Sequence, residues 1–144
     1  MSASRATASP GRANSRDATR ELTPEEQALL GLLLSDDFPA VEALRAQAAR
    51  VHAAGASCTC GCPSIYLEVE RGVPRAPTID RVPVQALCEE WEGVPLTVYL
   101  HVLHGYLHEI EAVPADDVSR PDWGWPPLDR LRLQPGPFQP NVNE

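Results

Sequence analysis

Apolar and polar residues alternate through the segment Leu96–Val113, on both sides of a central His104-Gly105. This alternation constrains the fold more than any other feature of the sequence. A period of two residues is the period of a β-strand, so the segment predicts two antiparallel strands joined by a tight turn. One face of this hairpin is then apolar and buried, and the other face is polar.

The register of the hairpin follows from the free energy of burying carboxylates. A two-residue loop would place Glu109 and Glu111 among the aliphatic side chains of the preceding strand. A three-residue loop over 103–105 pairs Val102 with Tyr106 and keeps both glutamates on the other face. Because burying a carboxylate without a partner costs several kcal/mol, we expect the three-residue loop.

This register divides the hairpin into two predicted faces. The apolar face carries Leu96, Val98, Leu100, Val102, Tyr106, His108, Ile110 and Ala112. The polar face carries Thr97, Tyr99, His101, Leu107, Glu109, Glu111 and Val113. His101 and His108 therefore fall on opposite faces, with His108 in the core and His101 exposed, while His104 is solvated at the turn.

Two helices are predicted ahead of the sheet. Thr23 can cap the first helix and Glu26 can reach back to it as a capping box, and the helix ends near 35–37. The second helix is expected to start around 38–39 with Asp37 as its cap. Its apolar residues recur at spacings of three and four, which gives one face for packing.

Further strands are predicted at 51–57, 65–69 and 84–91, with a loop over 71–83. Together with the hairpin they indicate an α+β fold. We expect two N-terminal helices packed on one face of an antiparallel sheet of four to five strands. Such a domain can bury enough surface to fold without a metal.

The chain of 144 residues is long enough for one domain with extensions. Composition divides it into three expected parts: a disordered Arg-, Ser- and Ala-rich leader at 1–21, a single domain at 22–133, and a disordered tail at 134–144. The Trp- and Pro-rich segment 118–133 is expected to pack across the domain.

All twelve basic residues are arginine, which excludes chemistry that needs a lysine amine, such as Schiff-base formation. The formal net charge is −8, and because residues 1–20 carry +3, the remainder carries −11. An acidic body argues against binding to nucleic acids or to anionic membranes. With no long apolar segment and no secretory signal, we expect a soluble cytoplasmic protein whose cysteines stay reduced.

Cys58, Cys60 and Cys62 form the one segment that suggests metal chemistry. A tight loop made by Gly61 and Pro63 could bring the three thiolates onto a zinc ion, which takes four ligands in a tetrahedron. A fourth ligand would come from one of three side chains: Cys88, His52 or His101. Zinc is thus a possible cofactor, although the usual Cys-x-x-Cys spacing is absent.

Two other interpretations of these thiols stay open. The segment can be a crowded turn in which the cysteines pack as small apolar groups. Alternatively, Cys60 or Cys62 can be a reactive thiol, which would make the protein a thiol-dependent enzyme.

Tyrosines and glutamates at the exposed positions of the predicted sheet indicate a binding surface. Its residues are Tyr66, Glu68, Tyr99, Glu109 and Glu111. An acidic surface of this kind would steer a basic protein partner. The sequence has neither the Gly-x-Ser-x-Gly setting of a hydrolase nucleophile nor a phosphate-binding Gly-x-Gly-x-x-Gly. These features favour a non-catalytic binding protein over an enzyme.

Four segments of the sequence together form a pattern that is similar to one in other proteins. They are Leu22-Thr23-Pro24-Glu25-Glu26, Asp37-Phe38-Pro39 with Ala43-Leu44-Arg45, Cys60-Gly61-Cys62-Pro63-Ser64-Ile65, and Leu100-His101-Val102 with Gly105-Tyr106-Leu107-His108-Glu109. The pattern resembles a group of short proteins from GC-rich bacteria that contain a domain of unknown function. The likeness covers about residues 22–133 and implies no activity, cofactor or catalytic residue. In size and charge the chain is also similar to immunity proteins that neutralise bacterial toxins, which implies an immunity-type or regulatory role.

Overall fold

The structure, a computed structural model, describes residues 19–58, 61–77, 79–118 and 123–138. Within these residues two α-helices precede a six-stranded antiparallel sheet. The elements are α1 (Pro24–Leu33), α2 (Val41–Ala48), β1 (Val51–Ala56), β2 (Ile65–Val69), β3 (Val82–Trp91), β4 (Val94–Leu103), β5 (Tyr106–Pro114) and β6 (Arg132–Phe138). The strand order is β1-β2-β5-β4-β3-β6. The predicted α+β class is confirmed, with one strand more than the expected four to five.

Helix α1 begins at the predicted capping box. The Thr23 hydroxyl accepts a hydrogen bond from the Glu26 backbone N–H at 3.1 Å, and the Glu26 carboxylate accepts one from the Thr23 N–H at 2.9 Å. Arg20 donates two more hydrogen bonds to Glu26, at 2.8 and 3.0 Å. Burial raises the pKa of Glu26, but the bonds from Arg20 and Thr23 outweigh burial and hold this pKa below its ordinary value.

Helix α2 begins at Val41, later than the predicted start around 38–39. The expected cap, Asp37, is wrong: Ala40 is the N-cap, with a φ of 71° and no side-chain capping bond. The physical reason is Pro39, which disfavours helical backbone at the residue before it. The chain therefore turns once more before the helix begins.

The hairpin of β4 and β5 turns through two residues, and the predicted three-residue loop is wrong. His104 and Gly105 both have a positive φ, 55° and 84°, as in the tight turns whose twist matches that of paired strands. Leu103 consequently pairs with Tyr106, and the predicted pairing of Val102 with Tyr106 is not formed.

A β-bulge in β5 accommodates the residue that the prediction placed in the loop. The register shifts between His101 and Val102, and His108 is the extra residue on the opposite strand. Beyond the bulge, Leu100 pairs with Ile110, and both glutamates of β5 stay out of the core. Both carboxylates are therefore kept out of the core as predicted, but the extra residue lies in the strand and not in the turn.

The bulge changes the positions of three side chains relative to the prediction. Leu107, expected on the polar face, is 2% exposed in the core. His108, expected in the core, is half-buried, and its ring centroid lies 5.5 Å from that of Tyr66 on the face away from the helices. His101, expected to be exposed, is buried on this same face. The two histidines are not on opposite faces.

Strand β6 forms the edge of the sheet next to β3 and includes residues 134–138, which the sequence assigned to a disordered tail. Two prolines and a glycine in Arg132–Phe138 hide the strand pattern. An edge strand tolerates proline, because an N–H that points away from the sheet has no partner to lose. Residues 139–144 lie outside the described part.

In the segment that leads to β6, Trp123, Trp125 and Leu131 are buried and pack on the core. Residues 119–122 of this segment lie outside the described part. At the other end of the domain, Arg20 forms a backbone bridge with Ala53 of β1. The ordered body therefore begins slightly before the expected boundary at residue 22, while residues 1–18 of the expected leader lie outside the described part.

Gln47 of α2 is a fully buried polar side chain that connects the helix to the tip of the hairpin. Its Nε2 donates to the carbonyl oxygen of Gly105 at 2.8 Å and to that of Pro74 at 3.3 Å. Its Oε1 accepts from the N–H of Leu107 at 2.9 Å. Only glycine fits at position 105, since a Cβ there would lie 2.8 Å from the carbonyl oxygen of Ala76.

We expect Gln47→Ala to lower the free energy of unfolding by about 2–4 kcal/mol, because the buried N–H of Leu107 loses its acceptor and a cavity is left. Denaturation in urea measures the loss. Gln27→Ala is the matched control: this exposed glutamine makes one bond, of 3.3 Å to the Leu22 carbonyl, and should change stability by less than about 1 kcal/mol. Equal effects at the two positions would contradict the role given to Gln47.

We expect Glu26→Gln to destabilise the protein near neutral pH and the difference from the parent to narrow in acid. The pKa of Glu26 is lower in the folded state than the ordinary 4.5, so its contribution is present above pH 4.5 and is lost as the pH falls through the folded value. Thermal unfolding across this pH range checks the sign. Glu25→Gln, which changes an exposed acid of the same helical turn, should leave the pH profile of the parent unaltered.

Candidate functional site

The five predicted binding residues lie on the face of the sheet away from α1 and α2, which we call the outer face. They are Tyr66 and Glu68 on β2, Tyr99 on β4, and Glu109 and Glu111 on β5. The register places Tyr66 opposite Glu109 and Tyr99 opposite Glu111. The outer face therefore contains two tyrosine–glutamate pairs across neighbouring strands.

His101 occupies the centre of the outer face, directly opposite Glu109. Its Nε2 lies 2.7 Å from Oε1 of Glu111 and donates a hydrogen bond, because a carboxylate only accepts. The residue is 6% exposed, and its Nδ1 is buried without a hydrogen-bond partner. An unpaired buried polar atom typically costs about 1–3 kcal/mol.

The His101–Glu111 pair resembles the base and orienting carboxylate of a hydrolase in composition but not in geometry. In such a pair the carboxylate holds one ring nitrogen and the other nitrogen faces the substrate. Here the nitrogen that is not held, Nδ1, is buried. This pair is therefore not arranged to take a proton from a substrate at the surface.

The carboxylates of Glu109 and Glu111 differ in their surroundings from the nearby carboxylate of Glu70. Glu70 accepts from His52 at 2.9 Å and from Arg50 at 2.8 Å, and these two bonds, that from His52 first, lower its pKa. Within the described ranges no arginine forms an ion pair with the two glutamates of β5. The hydrogen bond from His101 to Glu111 is a contact of this acidic pair with a basic side chain.

His108 adds little positive charge to the outer face. Burial, and then the positive charge of Arg81, lower the pKa of His108 from its ordinary value of 6.5. The ring is therefore mainly neutral at pH 7 and acts as a flat neighbour of Tyr66. The centre of the outer face is thus acidic and aromatic.

The described cysteines form no disulfide bond with one another. Cys58 and Cys62 are half-buried. The Cys62 thiol donates to the Ser64 hydroxyl at 3.2 Å, and this hydroxyl accepts from the Ala112 N–H at 2.8 Å. Cys62 thus belongs to a hydrogen-bonded connection between the β1–β2 loop and β5. Cys60, the third member of the predicted zinc site, lies outside the described residues.

The three side chains considered as a fourth zinc ligand have other partners. His52 binds Glu70, His101 binds Glu111, and the buried thiol of Cys88 donates to a backbone carbonyl of its own strand. Among the described residues, no group of three potential metal ligands includes Cys58 or Cys62.

One group of three does occur in the described ranges: His101, Glu109 and Glu111. The sequence predicts this histidine to be exposed or to be a ligand for the cysteine site, and it does not join the histidine to the two glutamates. The sequence does contain a signal for this group, because a histidine three residues before a tight turn can lie opposite acidic residues on the following strand. The bulge decides the pairing, and the spacing alone does not reveal it.

Comparison with protein-family models, with curated proteins and with solved structures finds no match to this chain. Neither described helix has the length and apolar character needed to cross a membrane. The site therefore has to be interpreted from its own chemistry.

We expect the thiol of Cys88 to react with a thiol reagent only after unfolding, because this residue is 3% exposed. The native parent and a Cys88→Ser variant should label to the same extent, and the parent should gain one further thiol in denaturant. Cys62→Ser, which removes a half-buried thiol, is the control and should reduce labelling of the native protein. Rapid native labelling that Cys88→Ser reduces would contradict the packing of β3.

Proposed function

We propose that this protein is a non-catalytic binding protein, of an immunity or regulatory kind, whose outer face takes a basic segment of a partner protein. The observation that carries this proposal is the pair of tyrosine–glutamate neighbours around His101. The net charge of −11 outside the first 20 residues favours a basic partner over long distances as well.

Arginine is the side chain that the outer face suits best. A carboxylate accepts two parallel hydrogen bonds from a guanidinium group, and an aromatic ring offers its face to the same planar cation. Tyr66 with Glu109, and Tyr99 with Glu111, each combine these two elements. Tyr66 is 39% exposed, so its ring is accessible to a partner.

The spacing of the two pairs suggests the form of the partner. Glu109 and Glu111 are two residues apart on β5, which corresponds to roughly 7 Å. Two arginines separated by one residue on an extended segment have the same spacing. An extended Arg-x-Arg segment running along β5 would therefore place one guanidinium over each pair.

A binding role also agrees with the geometry of His101. The ring nitrogen that has no hydrogen-bond partner, Nδ1, is buried. The His101–Glu111 pair therefore suits recognition of a partner better than proton transfer. The hydrogen bond to Glu111 holds this carboxylate in place, which reduces the entropy lost when a partner binds.

Affinity capture with the full chain as bait tests the proposal. We expect a retained protein with a basic segment, and we expect Tyr66→Ala or Glu109→Gln to reduce its retention by at least about tenfold, since residues at the centre of an interface supply most of its binding energy. Retention should also weaken as the salt concentration rises.

Two variants serve as controls for this experiment. Gln27→Ala removes an exposed polar side chain and Glu25→Gln removes an exposed acid, both from α1. Both should retain the partner like the parent. A partner that is retained equally by the outer-face variants and by the controls, or one without a basic segment, would overturn the proposal.

A further inference from the structure

Three side chains at the centre of the outer face offer ligand atoms that point toward one another. One ring nitrogen of His101 and one carboxylate oxygen each of Glu109 and Glu111 all lie within 4.8 Å of one another. The two strands of the central hairpin hold this group, because His101 on β4 is opposite Glu109 on β5. The register of a paired sheet thus determines the arrangement, which is not a chance meeting of mobile surface chains.

The burial of His101 is a second observation that points to a ligand. The residue is 6% exposed, yet its ring makes one hydrogen bond, to Glu111, and its Nδ1 has no partner in either protonation state. An aliphatic residue at this position would stabilise the sheet without an unpaired buried atom. Burial also fixes the imidazole ring, so its position against the carboxylate of Glu111 does not depend on a mobile surface side chain.

We infer that His101, Glu109 and Glu111 bind a divalent transition-metal ion, with Zn²⁺ as the preferred ion. Imidazole nitrogen with carboxylate oxygen is a donor set that zinc accepts, whereas Mg²⁺ and Ca²⁺ prefer oxygen ligands alone. Three protein ligands leave a fourth tetrahedral position for water or for a group from a partner.

The observed distances need only small adjustments to hold the ion. Ligand atoms around a tetrahedral zinc are about 3.3 Å apart, because each zinc–ligand bond is about 2.0–2.2 Å. The 2.7 Å separation of His101 and Glu111 has to open slightly, and the side chain of Glu109 has to rotate inward. Both glutamates are half-buried and form no ion pair with an arginine in the described ranges, so the contact that has to give way is that between His101 and Glu111.

This inference goes beyond the proposed function, because it concerns an ion and not a protein partner. The two are connected by the same carboxylates: a bound cation would neutralise Glu109 and Glu111 and compete with a guanidinium group. The test below contains no partner protein, so its failure leaves the proposed basic partner untouched.

Calorimetric titration of the full chain with Zn²⁺ tests the inference. Thiolates are good ligands for zinc in general, so the titration uses a background in which Cys58, Cys60 and Cys62 are replaced by serine. In this background we expect one zinc ion per chain, and we expect a large excess of Mg²⁺ or Ca²⁺ not to displace it.

Glu109→Gln in the same background identifies the site. This variant is expected to fold normally, because the residue is half-buried and has no ion-pair partner among the described residues, and it should weaken zinc binding by at least about tenfold. His101→Asn should abolish binding, with a thermal unfolding curve to verify its fold. Glu89→Gln, an exposed acid of β3, is the matched control and should bind like the background protein.

Three outcomes would overturn the inference. The first is the absence of saturable binding below about 1 mM Zn²⁺. The second is equal binding by Glu109→Gln and Glu89→Gln. The third is full displacement of zinc by Mg²⁺ or Ca²⁺, which would identify a general acidic surface and not a metal site.

Discussion

The register shift at His108 is the constraint on which the rest of the structure depends. The tight turn at His104-Gly105 would, without a bulge, direct the glutamates of β5 into the core. One extra residue in β5 reverses the faces beyond it, so that Ile110 enters the core and the acids remain outside. The same shift places a histidine among those acids. Core packing and the composition of the outer face are thus two results of one local irregularity.

The helix α2 supports this irregularity from the opposite side of the sheet. Gln47 binds the carbonyl oxygen of the turn residue Gly105 and the N–H of Leu107 next to the bulge. Buried backbone groups near a bulge lack regular ladder partners, and a side-chain amide can serve as donor and acceptor at once. The fold therefore uses a buried amide where a regular sheet would use a neighbouring strand.

Much of the fold was predictable from sequence, because strong local signals agree with the tertiary structure. The capping box at Thr23, the alternation at 65–69 and the end of β3 before Glu92-Gly93 were all identified correctly. The errors occur where a local rule is overridden. Strand β6 contains proline yet pairs as an edge strand, and α2 starts after Pro39 because this proline restricts the residue before it.

The five tyrosines and glutamates of the candidate site could be predicted from the sequence, but the histidine at its centre could not. The five outer-face residues can be predicted from the alternation of apolar and polar residues within each strand. This alternation is a local property, so a shift of register at one bulge does not remove it. The position of His101 depends on where the extra residue lies, and alternation cannot distinguish a longer loop from a bulged strand. The composition of the cysteine segment suggested a metal site, whereas the described thiols of Cys58 and Cys62 join no three-ligand group.

The two margins of the sheet have a consequence for the behaviour of the protein at high concentration. A β-sheet with a free, regular border can recruit strands from other molecules and grow into aggregates. Here one border is β6, in which proline residues interrupt the row of amide donors, and the other is β1, where Arg20 already occupies the backbone of Ala53. Both borders are therefore poor templates for pairing with another chain.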